Sequence, residues 1–221
     1  MVGLGAVGVV AAPHLQGGIE AVLGATADRD PTGLTQLLPN AGGFRYYSVA
    51  PSVPERGPEN YRLTVDGLVE RPVTYTLDAL QRLPQTRVVR DVQCVTGWRV
   101  PETPFEGVPL WRLLDAAGVL PEARAIRFNC FDGSYTESLT LPQARRDDVV
   151  VALRMQDRPL NHSHGGPARL YVAPMYFYKS AKWLSGITLT RDVEPGYWER
   201  VGYDVDAWVG RSNGRDDAPT V

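Results

Sequence analysis

Apolar and polar residues alternate through Tyr61-Arg62-Leu63-Thr64-Val65, and the alternation stops at Asp66-Gly67. A period of two that ends in a turn pair predicts a strand. The period then changes: Thr76 precedes Leu77, Leu80 and Leu83, the spacing of a short capped helix. Thr86 to Val95 is rich in β-branched residues and reads as a strand with Cys94 at its end. Pro109, Leu110, Leu113, Leu114, Ala117 and Gly118 predict a second short helix, proline in its first turn and glycine just past its end. Ala125 to Phe131 and Tyr135 to Leu139 flank Asp132-Gly133, the pattern of two strands around a tight turn. Val149 to Met155, Arg169 to Val172 and Ile187 to Thr190 read as further strands. No βαβ unit repeats and no G-x-G-x-x-G follows a strand, so a dinucleotide-binding fold is unsupported. The expected class is α+β: mixed sheets, short helices and long functional loops.

Composition narrows this in a few places. The 221 residues suffice for one sizeable core. With 22 Gly and 18 Pro the chain is turn-rich rather than a helical bundle. The formal charge is -2 and no long basic run occurs, so nucleic acid is not an expected partner. Two cysteines, Cys94 and Cys130, exclude a disulfide-dense scaffold and a Cys-rich metal cluster, and leave a single bridge between them open.

Met1 to Ala12 is apolar and uncharged, too short for the roughly 20 residues that span a bilayer. With Ala25-Thr26-Ala27 downstream, it reads as the core of an export signal entered partway, of the twin-arginine kind, followed by a cleavage site. The plainer reading is a weakly packed leader. The last dozen residues are polar and read as a mobile tail. The expected division is residues 1–43 leader, 44–208 one domain, 209–221 tail.

Four segments carry more polar and aromatic groups than a fold requires. In Arg90-Asp91-Val92-Gln93-Cys94-Val95-Thr96-Gly97-Trp98-Arg99 a cysteine ends a strand beside arginines. A positive field favours the thiolate, the form that binds metals; a buried structural cysteine is the plainer alternative. His162-Ser163-His164-Gly165-Gly166-Pro167-Ala168-Arg169 offers imidazoles for a metal, or His164 and Arg169 for an anion; the alternative is a solvated loop. Tyr176 to Trp183 combines Lys179, Ser180 and Lys182 with aromatic faces, an anion-binding loop or an amphipathic turn. Asp132-Gly133-Ser134-Tyr135-Thr136 is most simply a hairpin turn. No G-x-S-x-G elbow or P-loop is present.

Taken together, TYRLTVDGLVERPVTYTLDALQRLP, DVQCVTGWRVPETPFEGVPLWRLLDAAG, FNCFDGSYTESLTL and HGGPARLYVAPMYFYKSAKWLSGITLTRDVEPGYWERVGYD resemble the sulfite-oxidase-type molybdopterin-binding domain, in its bacterial single-domain form. The resemblance implies a sulfite-oxidase-like fold with mixed sheets and short helices, and a Mo-molybdopterin cofactor. Cys94 matches the family's cysteinyl ligand to molybdenum, and Arg99, five residues on, is the match to a substrate arginine. His164 and Arg169 match the block H-G-x-P-x-R, and Tyr178, Lys179, Ser180 and Lys182 the Y-K-S-x-K-W block around the pterin phosphate. Asp132, Ser134, Tyr46 and Tyr47 match further cofactor contacts. Phe177 departs from the family, which often has glycine there.

The resemblance implies two-electron oxygen-atom transfer on a small oxo substrate, by sulfite oxidation or by sulfoxide or N-oxide reduction. It also implies an electron-transfer partner, such as a haem protein, and work outside the cytoplasm. Two readings stand beside it: a molybdopterin-binding protein without turnover, and an unrelated cysteine hydrolase or interaction domain. Molybdenum content and turnover with an artificial electron donor separate the three.

Overall fold

The computed structural model describes residues 44–45 and 47–220. The leader assigned to residues 1–43 and the cofactor contact assigned to Tyr46 lie outside that range. Two five-stranded sheets carry the fold. The first is built from β1 (Arg62–Gly67), β2 (Val73–Thr76), β5 (Ala125–Cys130), β6 (Thr136–Thr140) and β10 (Leu184–Thr190), in the order β2-β1-β10-β5-β6. The second runs β3 (Thr86–Gln93), β4 (Arg99–Pro109), β7 (Val149–Met155), β8 (Arg158–Pro159), with β9 (Arg169–Val172) also paired to β7. All pairings are antiparallel except β1 with β10, which runs parallel in the register Thr64 to Gly186.

The short helices follow from their caps. In α1 (Leu77–Arg82) the Thr76 hydroxyl accepts from the Ala79 amide at 3.1 Å, and Leu77 and Leu80 turn inward. In α2 (Leu110–Ala117) proline stands one place earlier than expected, at the N-cap, and Gly118 closes the helix with φ +72°. Its buried Leu110, Leu113, Leu114 and Ala117 contribute about 1.5–3 kcal/mol per leucine by leaving water. In α3 (Leu141–Ala144) Thr140 and Gln143 form a capping box.

Strand β4 was not anticipated, because Pro101, Pro104 and Pro109 interrupt its pattern. It is nevertheless the interior strand between β3 and β7. A register shift between Arg90 and Val92, with Glu102 at φ +42°, kinks the pair where the prolines begin. Gly107 is required further along: a Cβ there would lie 2.0 Å from the Val151 carbonyl oxygen.

The carboxyl segment, expected to be mobile, is tied down. Arg99 donates to the carbonyls of Ala218 and Pro219, each at 2.7 Å, and Thr220 donates to the Ala173 carbonyl. Among the described residues no helix is long and apolar enough to cross a membrane.

Candidate functional site

Cys94 sits just beyond β3 in a tight loop. Its amide donates to the Trp98 carbonyl and the Gly97 amide donates to its carbonyl, both at 3.0 Å. Gly97 adopts φ +101°, a conformation glycine takes without strain. This fixes the thiol on the wall of a cavity of about 230 Å³, far more than the roughly 30 Å³ one water fills. His164, Arg169 and Lys182 line the same cavity. So do Tyr47, Asp132, Tyr178 and Ser180. Residues as far apart in the chain as Phe44 and Tyr203 thus converge on one space.

The thiol differs from the sequence-based expectation. Burial pushes the Cys94 pKa up; a hydrogen bond from Thr96, at 3.2 Å from Sγ, and the charges of Arg45 and Arg215 pull it back only in part. The flanking Arg99 contributes nothing here, since its guanidinium is committed to Asp91 at 2.7 Å and to the tail. Arg99 lies outside the cavity lining, which corrects its expected place beside a substrate. Cys94 and Cys130 are both free thiols, so the bridge left open by the sequence does not form.

Arg169 is the central cation. It is 2% exposed, and it donates to the carbonyls of His164 at 2.8 Å and Ser180 at 2.5 Å. Its guanidinium lies 4.3 Å from the centre of the Phe177 ring, so the phenylalanine that departs from the family pattern supplies a plate for the cation. No ion pair among the described residues includes Arg169. Burial lowers its pKa to about 9, the mark of a charge taken out of water without a counter-charge.

His164 is held by its amide to the Asn161 side chain at 2.9 Å, and its ring meets Phe44 edge-on at 5.3 Å. Burial, then Arg169 and Lys182, lowers its pKa to about 3, so the imidazole is neutral. Gly165 lets this turn press against the neighbouring chain; a Cβ there would lie 2.7 Å from the Lys182 Cβ. Lys182 donates to the Ser163 carbonyl and lies over the Trp183 ring. Ser180 accepts from the Val172 amide at 3.0 Å, and Asp132 Oδ1 accepts from the amides of Ser134 and Tyr135. The second oxygen, Asp132 Oδ2, is buried without a partner among the described residues.

Two expected contacts lie elsewhere. Ser134 is exposed and does not line the cavity, because only its amide serves the Asp132 turn. Lys179 is fully buried and turned away: its Nζ bonds Glu137 Oε1 at 2.7 Å and also Glu199 Oε1. Burial, together with the charge of Glu199, pushes the Glu137 pKa up to about 8 against the pull of Lys179. The aromatic walls were missed from sequence. Phe44, Trp98, Tyr135, Trp198 and Tyr203 line the cavity, and the clustering of aromatics between Tyr197 and Tyr203 was the signal available.

Among the described residues no group of three or more His, Cys, Asp and Glu could hold a metal ion. The donor set is therefore one thiol, with cations and an acceptor around it. That suits a group which brings its own metal donors and carries a phosphate. Arg169 and Lys182 are the cations on the cavity wall, and Asp132 is a carboxylate beside them.

Comparison with known proteins points the same way. The family described as oxidoreductase molybdopterin binding domain matches residues 50–198. The oxidoreductase YuiH of Bacillus subtilis is 34% identical over 150 residues, 67% of this chain and 75% of the relative. The catalytic subunit MsrP of the protein-methionine-sulfoxide reductase of Campylobacter jejuni is 25% identical over 157 residues, and the match spans 52% of that subunit. The crystal structure of the sulfane dehydrogenase SoxCD from Paracoccus pantotrophus superposes with a TM-score of 0.61 at 27% identity, over 64% of this chain and 41% of that one.

Proposed function

Because the chain belongs to the oxidoreductase molybdopterin binding domain family, we propose that its cavity holds Mo-molybdopterin with Cys94 as the protein's ligand to the metal. The chain is a molybdenum-cofactor oxidoreductase of the sulfite oxidase family, and oxygen-atom transfer on a small substrate is the activity its relatives fit. The observation that carries the reading is Arg169, a buried cation on the cavity wall that bonds carbonyls and joins no ion pair among the described residues.

When bound, the group supplies a two-electron centre that exchanges an oxygen atom with substrate. The chain's residues do the rest. Arg169 and Lys182 bind the phosphate, the former through a fork that suits its oxygens. Asp132 would face the group with its carboxylate, and Cys94 would offer its sulfur to the metal as the thiolate. Neutral His164 adds no charge beside the two cations. Tyr135, Trp198 and Tyr203 keep the space apolar and dry.

We further propose reduction of a sulfoxide or N-oxide as the direction, with R₂SO + 2e⁻ + 2H⁺ giving R₂S and water. The likeness to the sulfoxide reductase subunit and the absence of Arg99 from the cavity support it. The electrons come from a partner protein, for which a haem carrier is our reading. An extracytoplasmic location is proposed from the apolar segment 1–12 and the Ala25-Thr26-Ala27 site, and cell fractionation tests it.

Metal and pterin analysis of protein from a cofactor-competent host tests the core of the proposal. A molybdenum-to-protein ratio near one is expected, with turnover from a viologen donor. Cys94→Ser should abolish that turnover while Cys130→Ser leaves it nearly intact. A ratio near zero in the wild type, or equal effects of the two substitutions, removes Cys94 from the metal.

A further inference from the structure

The turn that carries Cys94 also sets a hydroxyl against its sulfur. The Gly97 amide closes the turn on the Cys94 carbonyl at 3.0 Å, and the Trp98 carbonyl holds the Cys94 amide at the same distance. Thr96 stands at the corner between them, with Oγ1 3.2 Å from Cys94 Sγ. Both residues line the cavity. Thr96 is exposed, and among the described residues that sulfur is the one hydrogen-bond partner of its hydroxyl. A β-branched side chain is stiff about χ1, so the turn fixes where the hydroxyl points.

Resting on the function proposed above, we propose that Thr96 is a positioning residue: its hydroxyl donates to the Cys94 thiolate, holds the sulfur towards the metal and raises the potential of the centre, so that a mild electron donor can reduce it. A thiol can donate to a hydroxyl as well as accept from it. A sulfur bound to a metal carries no proton, so it only accepts and the threonine donates. Hydrogen bonds to a charged acceptor are roughly twice as strong as neutral ones. Groups that bond to a metal's ligand orient that ligand and tune the metal, and hydrogen bonds to ligand sulfurs are one of the levers on potential. The donor draws electron density from the sulfur, which favours the reduced, more electron-rich metal. Arg45 and Arg215 act on the same sulfur only through space. Arg215 is paired with Asp217, and fields between exposed charges are screened by salt. The threonine bond is local and directional.

The test compares the wild-type holoenzyme with Thr96→Val, which keeps the shape and deletes the donor, and with Thr96→Ser, which keeps the donor. The readout is the molybdenum potential, followed by electron paramagnetic resonance through a redox titration. Thr96→Val should lower it by about tenfold in the one-electron equilibrium, or about 59 mV, while Thr96→Ser stays near the wild type. The KM for dimethyl sulfoxide should be the same in all three. If Thr96→Val takes up less molybdenum and Thr96→Ser takes up the normal amount, the donor is again assigned to the sulfur. Equal potentials in the wild type and Thr96→Val overturn the proposal. A raised KM with the potential unmoved also overturns it, because the hydroxyl would then serve the substrate. Molybdenum lost equally from Thr96→Val and Thr96→Ser would make the residue a part of the loop's shape and end the tuning role. If the wild type takes up no molybdenum, the functional reading fails and takes this inference with it. Uptake with an unmoved potential defeats this inference alone.

Discussion

Lys179 and Arg169 come from neighbouring parts of the chain and are both removed from water, yet they are treated in opposite ways. The lysine lies between two carboxylates, Glu137 and Glu199. The arginine faces a cavity and, among the described residues, is met by carbonyls and by the Phe105 and Phe177 rings. A cation whose counter-charges are built in is finished when the fold is finished. A cation denied them keeps a standing electrostatic demand that an anion can meet. The difference separates a fastening from a cation left open to a ligand, although both are basic residues of the same stretch of chain.

The comparison can be broken most forcefully at Lys179. Lys179→Met leaves Glu137 and Glu199 buried without their cation, and removing one partner of such a group costs about 3–5 kcal/mol. Urea unfolding of the apo protein should show that loss; a change below about 1 kcal/mol would mean that the triad fastens nothing. Arg169→Met should cost the apo protein less, because deleting an uncompensated charge offsets the unpairing of the His164 and Ser180 carbonyls. Cofactor affinity should fall between about tenfold and a hundredfold, the worth of one charge-assisted hydrogen bond of roughly 1.5–3 kcal/mol. Pterin release measured by fluorescence decides it, and full occupancy in the variant would undo the assignment. Arg169→Lys should recover only part, since it lacks the planar fork.

Acidity sharpens the contrast. Glu137 has an ordinary pKa of 4.5 and a folded value of about 8. Between those values the unfolded chain has released the proton while the folded chain keeps it. Stability from this group is therefore present below pH 4.5 and declines as pH rises towards 8. Melting temperatures from pH 6 to 9 should fall less in Glu137→Gln than in wild type. Parallel curves would show that the second carboxylate holds no extra proton. The smallest effect is expected at Lys182, which is half-buried and already donates to the Ser163 carbonyl. Lys182→Met should weaken pterin retention only a fewfold, on the scale of about 1 kcal/mol for a partly solvated charge.

Much of this molecule is legible in its residues. Both leucine-bearing helices announce their ends, because a threonine N-cap and a C-terminal glycine act locally. The pair around Asp132 is equally local, although the linker runs from Phe131 to Tyr135 rather than two residues. Strand β4 escapes notice because three prolines argue against a central strand, and only the kink opposite Asp91 makes room for them. The motif blocks pick out segments that line the cavity but not the direction of each side chain. Lys179 and Lys182 share one block, but the 3-10 turn Phe177–Lys179 rotates the first inward. Its partners lie 42 and 20 residues away, a distance no local pattern encodes. Arg99 is lost to the site for the same reason, since the tail that claims it comes 119 residues later.

Strand β10 has a bearing on how the enzyme is made. It is the middle strand of the first sheet, between β1 and β5, and bonds between Asp66 and Thr188 join positions 122 residues apart. On the ribosome, β1, β2, β5 and β6 emerge as two separate hairpins with nothing between them. The sheet that backs the cavity assembles only when the final strand is out, and contacts of such long range close slowly. The cavity-lining residues Cys94, His164 and Arg169 are synthesised earlier and share no common wall until that strand is in place.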